Sequence, residues 1–392
     1  MDASELPPKK VYVLGAGFSR DAGLPLQAGI IEKIRARGDI AHPLLREILS
    51  EGDKSPRLED VFTLFDQAVS RQQYCLGHTW QQIEQVRREL LYNILCVFHE
   101  STPPMNAAKC QRYCAFAAHL IAERVQAGDT DKFSIISLNW DCLFENAVYH
   151  CIREVGMVGD MDLDYCCYTT PLGGSPHTPS ILQKAKGIVN LKLMKLHGSV
   201  NWLSCPNCNR MYTGVGSDER DWDRYVFPQA CPECKKFLGK LGEASGRTPP
   251  NLEPFIITPT FLKVFDNPHI QMTWHNAYLD LAAADDVVFI GYSLPEADYH
   301  LRTLLRRSIR PEARIRAVLT KDDKPKCIMP KNLRECYAAS RYQDFFGKDR
   351  VEIRSSGVKG FCRSLPELLP LARPIARLRR LLKTSPAFSR GS

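Results

Sequence analysis

The sequence lacks any apolar run long enough to cross a membrane, and it has no recognisable secretory signal. A membrane-spanning helix needs about 20 predominantly apolar residues. Residues 1–10 are polar, and the first apolar run, residues 11–14, is far too short for either purpose. We therefore expect a soluble, cytoplasmic protein with no membrane partner.

A strong charge of one sign is also missing. The chain has 52 basic and 44 acidic residues, a net charge of +8, and its 44% hydrophobic and 24% charged content is typical of a folded protein. Basic residues are locally enriched in a C-terminal tail at 372–392. Such a tail could contact nucleic acid, but a solvated helix end explains it more simply. We therefore expect no nucleic-acid partner.

The cysteine content excludes a disulfide framework. There are 15 cysteines, and an odd number in a chain without a secretory signal argues against systematic pairing. Most of them, including Cys75, Cys96 and Cys114, occur in helical patterns and are predicted to be small core residues.

Four of the cysteines predict a structural zinc site. Cys205 and Cys208 form one Cys-x-x-Cys pair, Cys231 and Cys234 form a second, and 22 residues separate the pairs. Each turn places two thiolates on one edge of a tetrahedron, whereas a redox pair or coincidence would not explain two pairs at zinc-ribbon spacing. Four thiolates leave no open coordination position, so the zinc should be structural, holding a small zinc-ribbon module at 201–249.

Apolar strands separated by helical stretches predict an α/β fold, a doubly wound, Rossmann-like parallel sheet. The segment 286–291 is apolar without alternation, as a buried parallel strand requires. Residues 58–126 show helical periodicity, and 157–187 are predicted to be a loop. The predicted strands of the sheet are 10–14, 133–138, 191–196, 255–257, 286–291, 314–320 and 351–353.

We expect these elements to form one domain over 1–392. Its predicted parts are a Rossmann-like core (10–56, 130–200 and 250–355), a helical insertion (57–129), the zinc-ribbon module and the basic tail. The helical insertion could pack on the core or form a subunit interface, which leaves a homo-oligomer or a protein partner open.

A glycine-rich turn, Gly15-Ala16-Gly17-Phe18-Ser19, follows the first predicted strand. Glycines after a strand let the backbone approach a pyrophosphate, because no Cβ blocks the contact. The spacing departs from Gly-x-Gly-x-x-Gly, since Arg20 occupies the last position. Taken alone, the turn is explained equally well as an ordinary tight turn.

Polar residues follow two other predicted strands. Asn139 and Asp141 come after 133–138, and His197 comes after 191–196. Asparagine and aspartate are also common helix N-caps, and a lone buried histidine is usually structural. A histidine at a strand end can, however, present a base to a cleft at neutral pH.

In their order along the chain, over roughly residues 10–325, these motifs resemble the sirtuin superfamily. Residues 15–25 match its phosphate-binding string Gly-Ala-Gly-x-Ser-x-x-x-Gly-x-Pro, and Asn139 and Asp141 match the end of its Thr-Gln-Asn-x-Asp motif. His197 matches its catalytic His-Gly pair, which likewise precedes the metal cysteines. Residues 291–294 resemble its Gly-Thr-Ser-Leu turn, with Tyr292 in place of threonine.

The resemblance implies that NAD is bound and consumed, with attack at C1′ of the nicotinamide ribose and release of nicotinamide. It assigns His197 as the base, Asn139 as the residue that positions the acceptor, and Asp141 as a support of the nicotinamide pocket. The implied NAD-binding residues are Gly15, Ala16, Gly17, Phe18, Ser19, Asn139, Asp141, Gly291, Tyr292 and Ser293.

Two departures from the sirtuin deacylase motifs bear on which group attacks C1′ of the ribose. Leu26-Gln27-Ala28 stands where sirtuin deacylases carry Asp-Phe-Arg, and 255–261 lacks their peptide-binding Phe-Gly-Glu. The motifs are more similar to a divergent bacterial branch, several members of which cleave NAD in antiphage defence. We therefore expect NAD hydrolysis. A protein deacylase or ADP-ribosyltransferase is one alternative, and a non-catalytic module that senses NAD or ADP-ribose is another.

Overall fold

The computed structural model describes nine segments of the chain, and within them the strands form two sheets. The described residues are 8–50, 56–128, 130–172, 189–214, 229–241, 248–260, 265–320, 338–365 and 372–384. In chain order the strands are β1 Lys10–Leu14, β2 Phe133–Ser137, β3 Met161–Asp164, β4 Thr169–Pro171, β5 Val189–Lys195, β6 Gly198–Ser204, β7 Met211–Thr213, β8 Glu253–Ile256, β9 Asp286–Ile290, β10 Arg314–Val318 and β11 Val351–Arg354.

The larger sheet has seven strands in the order β11-β10-β9-β1-β2-β5-β3, and every pairing is parallel. β1 is the central strand. β2, β5 and β3 lie on one side of it, and β9, β10 and β11 lie on the other. The strand order therefore reverses between β1 and β9, which is where doubly wound sheets bind ligands. The predicted α/β class with a parallel sheet is confirmed.

The smaller sheet corrects one predicted strand. The segment 255–257, expected in the parallel sheet, falls on β8, and β8 pairs antiparallel with β6 in a separate sheet of order β4-β7-β6-β8. Its short apolar run fits either sheet, and only the long-range pairing with β6 decides between them.

The prediction of a loop over 157–187 is wrong at β3 and β4; residues 173–188 lie outside the described part. β3 has the sequence Met-Asp-Leu-Asp. Its two aspartates interrupt the apolar run from which a buried strand is predicted. Both aspartate carboxylates are buried, and each accepts a hydrogen bond from a nearby group. Tyr149 Oη donates to Asp162 Oδ1 over 2.7 Å, and the backbone N–H of Cys166 donates to Asp164 Oδ1 over 2.8 Å.

Helices cover the larger sheet and form a second layer beside it. None of the helices in the described segments is long and apolar enough to cross a membrane. They are α1 Ala16–Arg20, α2 Gln27–Arg37, α3 Pro43–Ser50, α4 Leu58–Ser70, α5 Trp80–Ser101, α6 Gln111–Ala127, α7 Leu143–Val155, α8 Pro232–Leu241, α9 Pro268–Ala282, α10 Tyr299–Ser308, α11 Ala338–Phe346, α12 Gly357–Ser364 and α13 Ala372–Thr384.

The stretch predicted to be helical divides into two parts. α6 lies against the parallel sheet, with Phe116 fully buried and its ring 5.5 Å from that of Tyr12 on β1. α4 and α5 pack instead with α2 and α3. The helical region thus supplies both a sheet-covering helix and a separate helical layer.

The basic C-terminal segment is a packed helix up to its last described residue. α13 lies on α6 and α7, and its Ile375 and Leu378 are buried. Arg379 donates a hydrogen bond of 2.7 Å to the carbonyl of Glu154 at the end of α7. The basic tail was expected to be a solvated helix end, but α13 is packed against the rest of the protein. Residues 385–392 lie outside the described part.

Candidate active site

A cavity of about 340 Å³ opens at the carboxyl ends of the central strands of the parallel sheet. This volume is within the range of about 300–1,000 Å³ that small-molecule sites occupy. The cavity lies at the reversal of strand order described above. Eight of the sequence-predicted site residues line it: Ala16, Gly17, Asn139, Asp141, His197, Gly291, Tyr292 and Ser293.

The glycines of the first turn allow two loops to touch. Gly17 donates its backbone N–H to the carbonyl of Gly291 over 2.8 Å, and a Cβ on Gly17 would lie 2.7 Å from that oxygen. Gly291 has φ +66°, a conformation that favours glycine. The close packing of the turns after β1 and β9 therefore accounts for these glycines without reference to a ligand.

Three predicted binding residues lie behind the cavity wall. Gly15 packs against Tyr292, where a Cβ would come within 2.6 Å of the Tyr292 Cα. Phe18 is 1% exposed, and its ring lies 5.1 Å from that of Tyr113 in the core. Ser19 is also buried, behind Asn139 and Asp141. The first turn thus supports the cavity through these residues and lines it through Ala16 and Gly17.

The side chain of Asn139 is fixed by two hydrogen bonds. Its Nδ2 donates to the Gly15 carbonyl over 3.0 Å and to Ser19 Oγ over 3.2 Å. Because a carbonyl can only accept, the amide nitrogen must be on that side. Asn139 is 7% exposed, and its Oδ1 has no hydrogen-bond partner among the described atoms. Asn139 lines the cavity, and this buried oxygen is an acceptor beside it that no described atom uses.

Asp141 continues this network and also starts α7. Its Oδ1 accepts from Ser19 Oγ over 3.1 Å and from the backbone N–H of Leu143 over 3.0 Å. Burial raises the pKa of Asp141, against the opposing effect of Lys195. Asp141 therefore accepts the first backbone N–H of α7 from the position before the N-cap Cys142, and it also lines the cavity.

A buried ion pair lies beneath the loop that carries Asn139 and Asp141. Lys195 Nζ lies 2.6 Å from Glu145 Oε1, with the two side chains 0% and 2% exposed, and it also donates to the Asp141 carbonyl over 2.6 Å. Burial lowers the pKa of Lys195, but the neighbouring acidic groups, Glu145 foremost, together outweigh burial and the pKa is raised. This pair was not predicted from the sequence. A lysine at the end of an apolar strand was its only local signal.

His197 follows β5 and approaches acceptor atoms on both sides of its ring. Its Nδ1 lies 3.3 Å from the Leu138 carbonyl, and its Nε2 lies 3.6 Å from Asp298 Oδ1. Asp298 lines the cavity and was also missed, because an aspartate just before a helix is ordinarily interpreted as an N-cap.

One wall of the cavity is apolar. Phe98 from α5 and Trp140 lie edge to face, with ring centroids 6.1 Å apart. Leu26, Gln27 and Ala28 continue the lining at the start of α2. Leu26, Gln27 and Ala28 are therefore part of the cavity wall.

The segment after β8 forms another part of the wall. The backbone N–H of Ile257 donates to the His197 carbonyl over 2.9 Å, and Thr258 Oγ1 donates to Asp66 Oδ2 on α4 over 3.1 Å. Thr260 Oγ1 lies 3.3 Å from Thr63 Oγ1, also on α4. The segment therefore joins the smaller sheet to the helical layer across the edge of the cavity.

The four predicted cysteines form one cluster beside the smaller sheet. Their Sγ atoms all lie within 4.8 Å of one another, with Cys205 and Cys234 at 3.7 Å and Cys208 and Cys231 at 3.8 Å. A Zn–S distance of about 2.3 Å in a tetrahedron gives sulfur separations of about 3.8 Å. The donor set and its spacing therefore fit zinc and confirm the predicted site. None of these cysteines lines the cavity, which agrees with a structural role.

Removing the zinc should disorder the smaller sheet. Purified protein should contain about one zinc per chain, and a chelator should lower the thermal unfolding temperature, because the module has little core of its own. Cys231→Ser should act like the chelator, whereas Cys96→Ser, a buried cysteine on α5, should keep the metal. A full zinc complement in Cys231→Ser would contradict the assignment.

Comparisons with known proteins give distant structural likenesses only. No protein-family model matches the chain, and no curated protein matches it. Among solved structures, it is similar to a Sir2 homologue in complex with NAD, at 14% identity and a TM-score of 0.41, covering 95% of this chain and 90% of that one. It is also similar to Sir2Tm bound to a propionylated peptide, at 14% identity and a TM-score of 0.38, covering 91% and 90%.

Proposed function

We propose that this protein hydrolyses NAD, cleaving the bond between nicotinamide and ribose. The observation that carries the proposal is that Asn139, whose Oδ1 has no hydrogen-bond partner among the described atoms, and His197 line one cavity of suitable size. The order of motifs, which resembles the sirtuin superfamily, supports NAD as the ligand. The similar solved structures include both an NAD complex and a peptide complex, so they do not distinguish the acceptors.

The proposed reaction needs an acceptor oxygen and a base. The bond between C1′ and the nicotinamide nitrogen breaks, and its electron pair leaves with the nicotinamide. A water oxygen bonds to C1′ and transfers a proton to His197, which later releases it to solvent. Asn139 Oδ1 accepts a hydrogen bond from that water or from a ribose hydroxyl and so holds it in place. The products are nicotinamide and ADP-ribose.

The segment after β8 favours water over a peptide as the acceptor. Sirtuin deacylases use a Phe-Gly-Glu segment beyond the last cysteine to hold the peptide. Here the corresponding segment lacks that sequence and is joined to α4 through Thr258 and Thr260. Leu26-Gln27-Ala28 likewise replaces the deacylase Asp-Phe-Arg in the cavity wall.

Deacylation is the second candidate, and one observation favours it. β8 is an edge strand of the smaller sheet as described, and an extended peptide can pair with an exposed edge. On this hypothesis, nicotinamide release would depend on an acylated peptide, and an acyl-ADP-ribose would form.

The test is to incubate purified protein with NAD, with and without an acetylated peptide, and to identify the products by chromatography. We expect nicotinamide and ADP-ribose in equal amounts without peptide, at a rate that peptide does not change. Strict dependence on peptide would support the deacylase instead. Binding of NAD with no release, whether or not peptide is present, would support a sensor.

The biological role that we propose is NAD depletion in antiphage defence, based on the resemblance to the bacterial branch. Expression of the chain in bacteria should lower the cellular NAD concentration after phage infection. The His197→Ala variant, expressed to the same level, should leave the NAD concentration unchanged.

A further inference from the structure

The carboxylate of Asp298 turns away from the helix that it precedes. Asp298 is the N-cap residue of α10, but its side chain makes no capping hydrogen bond. Aspartate is among the residues most favoured at this position, where its carboxylate usually accepts a backbone N–H. The Asp298 side chain is 8% exposed, and its Oδ2 instead accepts a hydrogen bond of 2.9 Å from Tyr292 Oη. The hydrogen bond from Tyr292 therefore fixes the carboxylate away from the helix and leaves Oδ1 for a second contact.

That contact is with His197. The Leu138 carbonyl, 3.3 Å from His197 Nδ1, can only accept, so the hydrogen bond requires the proton on Nδ1. Nε2 is then the nitrogen that can take up a proton, and Asp298 Oδ1 lies 3.6 Å from it. This distance is longer than a hydrogen bond. Such contacts in ligand-free sites commonly shorten once the reacting complex forms.

We propose that Asp298 is a positioning residue for His197, an inference that rests on the proposed NAD hydrolysis. When the attacking water gives up its proton, its O–H bond breaks, the electron pair stays on the oxygen that bonds to C1′, and an N–H bond forms at Nε2. The negative charge of the Asp298 carboxylate beside Nε2 stabilises the imidazolium that forms. Tyr292 keeps the carboxylate directed at the imidazole rather than at the start of α10.

Asp298→Asn tests this role, since it keeps the shape of the side chain and removes its charge. We expect kcat for nicotinamide release to fall roughly 10- to 100-fold, with KM for NAD changed by less than about threefold. Tyr292→Phe should also lower kcat, but by less than Asp298→Asn does. The double variant should be no slower than Asp298→Asn, because Tyr292 acts through the same carboxylate.

Asp286→Asn is the matched control. Asp286 is also a partly buried aspartate, paired with Arg316, but it lies at the opposite end of β9 from the cavity. We expect its substitution to leave kcat unchanged. A fall in kcat equal to that of Asp298→Asn, or an unchanged kcat in Asp298→Asn, would overturn the proposal.

An NMR spectrum of protein labelled with ¹⁵N-histidine reports on the His197 ring without requiring catalytic turnover. His197→Gln identifies the His197 signals. The Nε2 signal should move in Asp298→Asn and stay in place in Asp286→Asn, and a signal unmoved in both variants would overturn the proposal. If the wild type releases no nicotinamide, the proposed hydrolysis fails, and this comparison alone decides whether Asp298 acts on His197.

Discussion

Replacing His197 by alanine should lower kcat for nicotinamide release by about 100- to 10,000-fold, the usual contribution of a positioned general base. The imidazole borders the cavity with 12% of its side chain exposed, with the Leu138 carbonyl 3.3 Å from Nδ1 and Asp298 Oδ1 3.6 Å from Nε2. Without it, the attacking water has no group at this position to take its proton. NAD binding, measured by calorimetry, should change far less than kcat.

His119→Ala is the control for this substitution. His119 is a buried histidine on α6 that pairs with Glu123, and it does not line the cavity. Its removal should cost stability without lowering kcat. A His197→Ala enzyme that keeps more than a tenth of the wild-type kcat would contradict the assignment of the base.

Replacing Lys195 by methionine should destabilise the fold by about 3–5 kcal/mol, the usual cost of leaving one member of a buried ion pair without its partner. Glu145, 2% exposed, would keep its carboxylate but lose the cation 2.6 Å away. The loop that carries Asp141 would also lose the hydrogen bond from Lys195 Nζ to its carbonyl. Urea unfolding followed by circular dichroism measures the loss.

The loss of folding stability in Lys195→Met should depend on pH. Burial already raises the pKa of Glu145, and removing the cation raises it further. The folded variant then binds the carboxyl proton more tightly than the unfolded chain does. That proton stabilises the folded variant at low pH, and the stabilisation is lost as pH rises through the folded pKa. The loss in Lys195→Met should therefore be smaller at pH 5 than at pH 7.

The double variant Lys195→Met/Glu145→Leu provides the check on mechanism. With both charges removed, no carboxylate is left without a partner, so most of the lost free energy of unfolding should return. A double variant less stable than Lys195→Met would show that the loss does not arise from the isolated carboxylate.

The zinc module and the cavity are connected through the backbone beside His197. β6 begins at Gly198, directly after the histidine, and runs to Ser204, next to the first metal cysteine. The Ile257 N–H, just after β8, holds the His197 carbonyl. A structural metal can therefore affect the site without touching it, because it orders the sheet that fixes the backbone of His197.

The parallel sheet and the metal site have local sequence signals and were predicted correctly. The parallel sheet followed from buried strands such as β9, whose apolar residues do not alternate. The metal site followed from two Cys-x-x-Cys pairs, which fix the ligands by spacing alone. Both signals depend on residues close together in the sequence.

Features that depend on distant contacts were missed. Lys195 and Glu145 are 50 residues apart, and neither position shows that the other lies beside it. Asp298 precedes a helix and so matches the N-cap pattern, although its carboxylate contacts Tyr292 and His197 instead. Phe18 falls inside the glycine motif, yet its side chain belongs to the core.

Nicotinamide release by Asn139→Ala shows whether Asn139 and His197 act together on NAD in this cavity. The matched control is Asn93→Ala on α5, another buried asparagine whose Oδ1 has no hydrogen-bond partner among the described atoms and which does not line the cavity. Without peptide, wild type and Asn93→Ala should release nicotinamide at similar rates, while Asn139→Ala should bind NAD and release nicotinamide at least about 100-fold more slowly. Equal release by Asn139→Ala and wild type would contradict the account.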